Sequence, residues 1–445
     1  MSASAGELVF RGGTIVTLSD DHTVTAGDVA VVDGVITHVG GAYTPQSKDY
    51  QIVDAAGCIV MPGLVQAHVH TCQTLARGKA DDLELLDWLE KVVWPYEGAL
   101  DGPAMAASAR LAMAELLLGG TTAILDMGSV HHTDEVFAAA EASGIRATIG
   151  KAMMDAPDPR IPPGLRETTA ASLAESDRLA DRWHGAAGGR LRYAYAPRFV
   201  LSCTDELLVE VGRRARARGL VVHTHASENK GEIAAVEARY GKRNLLALHD
   251  LGLSGPHVCV AHCIHLSDAE VANLAERGTH VLHCPSSNLK LASGIASIPE
   301  LLDRGVSVAL GADGAPCNNN LDGFLELRLA ATLHKPRVGP RALPAPAAVR
   351  LATRAGAAAL GLADQIGQLT VGKRGDVIAV DTTGPHVTPS TNPWSSLAYA
   401  CRASDVRHVA VDGKLVVCER KLLTMELPEV VRSARLHAPR IFDLL

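Results

Sequence analysis

The feature that most constrains the fold is an alternation of short apolar segments with Ala- and Leu-rich segments through the middle of the 445-residue chain. Segments of the second kind, such as Asp205–Arg218 and Asp268–Arg277, begin on Asp and carry apolar residues at helical spacing. Strands that alternate with helices in this way predict a parallel sheet of βα units. The strand candidates are Gly63–His68, Thr121–Met127, Arg146–Ala152, Arg192–Ala196, Leu220–His225, His257–His262, His280–His283 and Ser307–Gly311.

These eight units predict an α/β fold, a TIM-like (β/α)8 barrel over residues 62–366. Such barrels usually take about 250 residues, and roughly 300 are present here. A doubly wound parallel sheet is the main structural alternative.

The two ends of the chain predict a second, smaller domain. Five segments alternate apolar residues with Gly-Gly and Asp-Gly turns, a pattern typical of β-hairpins; they are Leu8–Val16, Asp28–Val39, Gln51–Val60, Gly367–Asp381 and Val406–Leu422. We therefore expect residues 1–61 and 367–445 to form one small β-sandwich beside the barrel. Leu427–Leu445 is expected to form a closing helix.

Composition excludes several classes of partner. The chain is 47% hydrophobic and 20% charged, enough to bury a sizeable core. A net charge of −7 is too mild to predict binding to nucleic acid or to a membrane surface. The longest apolar stretch, Leu111–Met127, is interrupted by Glu115 and Asp126, so no membrane span is expected.

The N-terminal sequence and the cysteines predict a cytoplasmic protein. The first residues lack a basic segment followed by an apolar one, so we expect no signal peptide. The nine cysteines are an odd number and none forms a Cys-x-x-Cys pair, which favours reduced thiols.

Histidines and one aspartate stand where barrel strands are expected to end. His68 and His70 are two residues apart in a strand, so their side chains point the same way. Alone this pair is equally typical of a polar strand-end turn. However, further strand ends carry His223, His225, His262, His283 and Asp313. Because strand ends of a barrel converge on one face, three imidazoles and a carboxylate there predict a site for zinc or ferrous iron.

Several motifs together resemble the amidohydrolase superfamily, and most of all its branch of purine and triazine aminohydrolases and chlorohydrolases. The motifs are Pro62-Gly63-Leu-Val-Gln-Ala-His68-Val-His70, His225-Ala-Ser-Glu228, Ala261-His262-Cys, His283-Cys-Pro-Ser-Ser-Asn288 and Gly311-Ala-Asp313-Gly314. The resemblance covers nearly the whole chain, including the β-segments at both ends.

The resemblance implies one divalent metal, zinc or alternatively iron, held by His68, His70, His225 and Asp313. In this branch the metal-binding histidine precedes the glutamate by three residues, and His225 stands three residues before Glu228. His223 is therefore expected to be only a buried strand residue. Relatives with two metals use a modified lysine at the end of the fourth strand, which is missing here. Lys151 is the nearest alternative.

The resemblance also implies three catalytic roles. Glu228 would protonate a ring nitrogen, and Asp313 would carry the proton of the attacking water to the departing amine. His262 would hydrogen-bond the attacking oxygen. The alternative for Glu228 is a carboxylate placed only to stabilise the start of the helix near Ile233.

Candidate substrate contacts divide between two kinds of purine. Trp88 and Glu97 resemble pocket residues of nucleoside deaminases, whereas Gln73, Arg198 and Phe199 resemble those of guanine deaminases. Gly311–Asn320 and Gly241–Leu253 resemble segments of methylthioadenosine, adenosylhomocysteine and deoxyadenosine deaminases. We therefore expect deamination of a 5′-modified adenosine, such as 5′-deoxyadenosine, methylthioadenosine or adenosylhomocysteine. Guanine deamination and triazine amino- or chlorohydrolysis are the alternatives, and a non-catalytic scaffold fits poorly because all four ligands are present. The expected partner is a small molecule, and the protein is expected to be a homo-oligomer.

Overall fold

The computed structural model describes residues 6–444, and its larger sheet is the predicted barrel. Each of the eight strand candidates overlaps one strand, which we call the first to eighth barrel strands. They are Leu64–His70, Thr121–Met127, Arg146–Gly150, Leu191–Pro197, Val221–Ala226, Val258–His262, His280–His283 and Val308–Leu310. Neighbours follow chain order and pair in parallel, and a short strand at Ala152–Met153 pairs with the fourth. The TIM-like α/β prediction is confirmed.

The barrel closes where the end of the eighth strand meets the first. The two-residue strand Asp313–Gly314 pairs in parallel with Val69 and His70. The approach is close because residue 311 is glycine: a Cβ there would lie 2.5 Å from the carbonyl oxygen of His68. This closure brings Asp313 beside the two histidines of the first strand.

The helices that cover the barrel begin at polar caps. Asp101 and Thr204 accept backbone N–H groups at two helix starts, and Ser267 forms a reciprocal capping box with Glu270. The helices of ten or more residues are Gly102–Leu118, Thr133–Ser143, Thr169–Trp183, Asp205–Arg218, Lys230–Tyr240, Asp268–Arg277, Gly323–Leu333 and Leu427–Phe442.

Shorter helices lie mainly in the loops that follow the barrel strands. They include Leu85–Trp88, the π-helical turn Leu89–Val93, Trp94–Ala99, Asn244–Asp250, Pro285–Lys290, Ile298–Asp303, Ala315–Asn318 and Ala345–Arg350. Within residues 6–444 we find no helix with the length and apolar character that a membrane crossing requires.

The smaller sheet contains strands from both chain ends, as predicted. Cys58–Pro62 pairs in parallel with Glu7–Val16 and antiparallel with Val377–Asp381, which joins the two ends. The other strands are Val24–Val32, Val35–Val39, Tyr50–Asp54, Val406–Val411, Lys414–Cys418 and Lys421–Leu422. Hydrogen bonds link all nine strands into one continuous sheet, which packs around a core of its own.

The division into residues 1–61 with 367–445 and residues 62–366 stays a prediction. Residues 1–5 and 445, with the end of the expected closing helix, lie outside the described residues. The helix itself runs over Leu427–Phe442.

A buried ion pair connects the barrel with the smaller sheet. The Arg146 guanidinium of the third barrel strand donates to both oxygens of Asp376 at 2.8 and 2.9 Å, and to Asp412 at 3.2 Å. Asp376 also accepts the backbone N–H of Asp412. The side chains of Arg146 and Asp376 are almost fully buried, so this contact fixes the sheet against the barrel.

Candidate active site

Four of the predicted residues meet above the barrel strands. His68 and His70 come from the first strand, His225 from the fifth, and Asp313 from the closure. Oδ1 of Asp313 lies 3.5 Å from Nε2 of His68 and 3.5 Å from Nε2 of His70. The three imidazoles offer nitrogens within 4.8 Å of one another. We call these four residues the His–Asp cluster.

The protons on two of these imidazoles can be assigned from their backbone contacts. Nδ1 of His70 donates to the carbonyl of Met127 at 2.8 Å, and Nδ1 of His225 donates to that of Arg198 at 2.6 Å. A carbonyl oxygen only accepts, so both Nδ1 atoms carry hydrogen. Burial lowers the pKa of His70 to about 3 and that of His225 well below its ordinary value, so both rings are neutral.

It follows that both Nε2 atoms present lone pairs. They face each other across 3.3 Å. Nε2 of His68 is also buried and has no hydrogen-bond partner among the described residues. Lone pairs that converge with a carboxylate in a buried space repel one another unless a cation lies between them. The donor set of three imidazoles and one carboxylate suits zinc or ferrous iron, so the residues present fit a metal.

Glu228 and His262 lie beside the His–Asp cluster. Nε2 of His262 is 3.4 Å from Oε2 of Glu228 and 3.8 Å from Oδ2 of Asp313. Burial raises the pKa of Glu228 to about 7, and the charge of Asp313 adds to this effect. Burial opposes protonation of His262, but the carboxylates of Glu228 and Asp313 outweigh it and raise its pKa. A carboxyl group with this pKa can hold a proton at neutral pH.

The backbone at this face adopts a conformation that non-glycine residues avoid. Ser227 (φ +57°), His262 (φ +73°) and Asp313 (φ +64°) are all in the left-handed region. Each such residue costs about 1 kcal/mol or more. These backbone conformations direct the side chains of Glu228, His262 and Asp313 into one space. The surrounding strands hold the backbone in these conformations.

A small pocket opens onto the cluster and is covered by a segment that we call the lid, residues 83–99. Its walls are His70, Leu85, Leu86, Trp88, Leu89, Arg198, Phe199, His225, Glu228, Glu232, His262, Leu291 and Asp313. The cavity volume is about 40 Å³. At roughly 10–15 Å³ per water, it holds about three waters and is too small for a purine. We therefore expect the lid to move when a substrate enters.

The predicted substrate contacts divide between the pocket wall and the layer outside it. Trp88, Arg198 and Phe199 line the pocket, whereas Gln73 and Glu97 lie outside the wall formed by the described residues. The Glu97 carboxylate accepts from Arg198 at 2.6 and 3.1 Å and from Nε2 of Gln73 at 2.8 Å. Glu97 thus holds the Arg198 guanidinium in place.

Three other residues singled out in the sequence lie in different surroundings. Nζ of Lys151 is 2.7 Å from both carboxylate oxygens of Glu167. The ring of His283 packs 6.0 Å from that of His334 and belongs to neither group of potential metal ligands found among residues 6–444. His223, expected to be a buried strand residue, is fully buried, and its Nε2 lies 2.7 Å from Nδ1 of His68.

Three contacts to Glu228 and His262 were not predicted. Oδ1 of Asn288 accepts from Nδ1 of His262 at 2.9 Å, and Oγ of Ser293 donates to Glu228 at 3.3 Å. Glu232 accepts the backbone N–H of Glu228 at 2.9 Å. Asn288 closes one of the motifs quoted above, and Glu232 follows Glu228 by one helical turn. No local pattern marks Ser293.

The barrel, the His–Asp cluster and the glutamate poised to hold a proton together define a hydrolase that acts on C–N bonds. The amidohydrolase family model matches residues 59–416, and the chain belongs to this family. Its members are typically metal-dependent.

Full-length relatives agree with this assignment. A 5-methylthioadenosine/S-adenosylhomocysteine deaminase of Syntrophobacter fumaroxidans is 41% identical over 99% of this chain and 100% of its own length. A 5′-deoxyadenosine deaminase of Methanosarcina acetivorans is 39% identical over 98% of each chain. Among solved structures, an adenosine deaminase from Xanthomonas campestris with bound zinc superposes with a TM-score of 0.90 at 34% identity, covering 98% of this chain and 99% of that one.

Proposed function

We propose that the protein is a metal-dependent deaminase that hydrolyses the amino group of a 5′-modified adenosine and releases ammonia. The observation that carries the proposal is the meeting of the His–Asp cluster with Glu228 and His262 in one buried pocket. The candidate substrates are 5′-deoxyadenosine, methylthioadenosine and S-adenosylhomocysteine, which the names of the relatives support.

The proposed metal ligands are His68, His70, His225 and Asp313, and zinc is the proposed ion. These residues would hold a divalent metal, which would lower the pKa of a bound water from 15.7 to about 7 and so supply hydroxide at neutral pH. Zinc in the similar adenosine deaminase supports this choice over iron.

Proton transfer falls to Glu228 and Asp313. Glu228, protonated near neutral pH, gives its proton to the ring nitrogen next to the carbon under attack. Asp313 accepts one proton of the attacking water and passes it to the amino group. The C–N bond then breaks to release ammonia, and the hydroxyl proton of the adduct returns to Glu228 as the carbonyl forms. His262 hydrogen-bonds the attacking oxygen, and its contact with Asn288 fixes the direction of that bond.

The proposed substrate contacts combine three residues of the pocket wall with Gln73 and Glu97 behind it. Trp88 and Phe199 offer apolar surface for the purine, and the indole N–H of Trp88 is buried without a partner among the described residues. Arg198 and Gln73 are proposed to contact the polar edge of the base. Glu97 is proposed to accept hydrogen bonds from the ribose hydroxyls in exchange for part of its present contact with Arg198 and Gln73.

Ammonia release from a panel of purines tests the proposal. We expect kcat/KM for 5′-deoxyadenosine, methylthioadenosine or S-adenosylhomocysteine to exceed that for adenine and guanine. Glu97→Ala should lower the ratio of nucleoside to free-base turnover, a ratio that cancels any general loss of structure. Guanine as the best substrate, with an unchanged ratio in Glu97→Ala, would contradict the nucleoside assignment and leave the metal chemistry untouched.

Guanine deamination is the second candidate because of one specific contact. Arg198 lines the pocket while the carboxylate of Glu97 is already engaged by Arg198 and Gln73. A guanidinium in the wall suits the oxygen and ring nitrogens of an oxopurine. The same purine panel decides between the two candidates.

We also propose that the enzyme works in the cytoplasm as a homo-oligomer. All nine cysteines are unpaired, which supports a reducing compartment. Three leucines on and just after the C-terminal helix, Leu427, Leu436 and Leu444, are exposed, which supports an interface there. Light scattering during size-exclusion chromatography measures the oligomeric state, and a monomeric mass would contradict this part of the proposal.

A further inference from the structure

His223 contacts a proposed metal ligand directly. It lies on the fifth barrel strand, two residues before His225, and is fully buried. Its Nε2 is 2.7 Å from Nδ1 of His68, which is a hydrogen-bond distance. The two residues are 155 positions apart in the chain.

One proton must lie between these two nitrogens. If it belonged to His223, Nδ1 of His68 would accept it and the proton of neutral His68 would sit on Nε2. Nε2 of His68 faces Asp313 within the His–Asp cluster, where a metal ligand needs a free lone pair. Metal binding by His68 therefore requires the shared proton on its own Nδ1, with Nε2 of His223 as the acceptor.

For the other two imidazoles of the cluster, a backbone carbonyl accepts the Nδ1 proton. The Nδ1 atoms of His70 and His225 donate to the carbonyls of Met127 and Arg198. For His68 the acceptor is a side chain instead. Outer partners of this kind fix the tautomer and the orientation of a metal-bound histidine.

A packing role alone does not account for a histidine at position 223. When Nε2 accepts, the proton of neutral His223 sits on Nδ1, which is buried and has no partner among the described residues. An apolar residue of similar size would fill the space without burying an unpaired N–H. The unpaired N–H of His223 lowers stability, yet a histidine stands here, and its other nitrogen accepts the proton of His68.

We propose that His223 is a positioning residue that accepts the Nδ1 proton of His68 and so keeps Nε2 of His68 free to bind the metal. The inference rests on the proposed metal site and adds a residue outside the ligand set.

The test compares zinc affinity in three variants of the full-length protein, measured by competition with a chromophoric chelator. His223→Leu removes the acceptor, and we expect zinc affinity to fall about 10- to 100-fold. His223→Gln keeps an acceptor oxygen near the position of Nε2 and should recover part of this loss. His283→Leu is the matched control, because His283 also lies in a barrel strand, is buried and has two nitrogens without a partner among the described residues. Its zinc affinity should equal that of the parent.

The outcomes separate this inference from the proposed function. Parental zinc affinity in His223→Leu, or equal losses in His223→Leu and His283→Leu, would overturn the role of His223 while deaminase activity of the parent still supports the proposed function. A parent that binds no zinc or iron would overturn both. If His223→Leu does not fold, nitrogen NMR of the zinc-loaded parent decides: a proton on Nδ1 of His68 supports the inference, and a proton on its Nε2 overturns it.

Discussion

At the scale of single residues, the proposed chemistry depends on a carboxyl group that burial leaves partly protonated at neutral pH. Glu228 is surrounded by His262, Ser293 and the backbone contact to Glu232, and its pKa is raised to about 7. The alternative, a carboxylate that only stabilises a helix start, requires no contact with His262. The observed 3.4 Å contact favours the catalytic interpretation.

The pKa of Glu228 leads to a prediction about pH. Only the protonated form can give its proton, so the alkaline side of the kcat/KM profile should fall as pH rises through about 7, by about tenfold per unit, while loss of hydroxide sets the acidic side. Glu228→Gln keeps the size of the side chain but gives no proton, and kcat should fall by roughly 10²–10⁴. Metal content measured in the same samples should be unchanged. A variant with parental kcat would show that Glu228 only stabilises the start of the helix.

At the scale of elements, the approach of the eighth strand to the first depends on Gly311. Gly311→Ala places a methyl group 2.5 Å from the carbonyl oxygen of His68 and 2.7 Å from its Cβ, so the strands must separate. We expect a loss of about 1–3 kcal/mol in the free energy of unfolding, as for other overpacked cores, together with weaker zinc binding. Denaturant titration and chelator competition measure the two effects.

Gly102→Ala is the control for this substitution. A Cβ at Gly102 meets no atom closer than 3.8 Å. Equal effects of the two substitutions would show that the close approach at Gly311 does not cause the loss of stability and zinc binding.

The lid is the second element with a measurable consequence. Trp88 lines the small pocket, so we expect binding of a purine to displace it from its apolar neighbours. We expect a change in tryptophan fluorescence when a substrate or product is mixed with the protein. Trp88→Phe should remove most of this change and Trp394→Phe should preserve it, since Trp394 lies outside the lid and the pocket wall. A signal that survives in Trp88→Phe would contradict lid movement at this residue.

At the scale of the whole molecule, Arg146 connects the barrel with the smaller sheet. Arg146→Met would leave Asp376 without its buried partner, and we expect the free energy of unfolding to fall by about 3–5 kcal/mol. The comparison is Arg407→Met, which breaks a partly exposed pair with Glu419 and should cost about 1 kcal/mol or less. Denaturant midpoints of both variants give the measurement, and similar midpoints would contradict the predicted role of the buried contact.

The sequence predicted the strands and the convergence of the cluster because both leave local patterns. Each barrel strand is a short apolar run, and each ligand stands at the end of such a run. Pairings between distant side chains leave no such pattern. The contacts of Glu97 with Arg198 and of His68 with His223 span 101 and 155 residues, so neither the engaged state of Glu97 nor the contact of His223 could be inferred from spacing alone.

The closure of the barrel also bears on how the chain folds. Oε1 of Gln66 accepts the backbone N–H of Ala312, 246 residues further along the chain, and the strands that meet there carry His68, His70 and Asp313. Contacts of such high sequence separation form slowly, because loop-closure entropy is lost before they contribute. A growing chain therefore has no complete ligand set until its last barrel strand has docked. An ion that binds only the closed form stabilises it by mass action, by about 4 kcal/mol at a thousand times its dissociation constant.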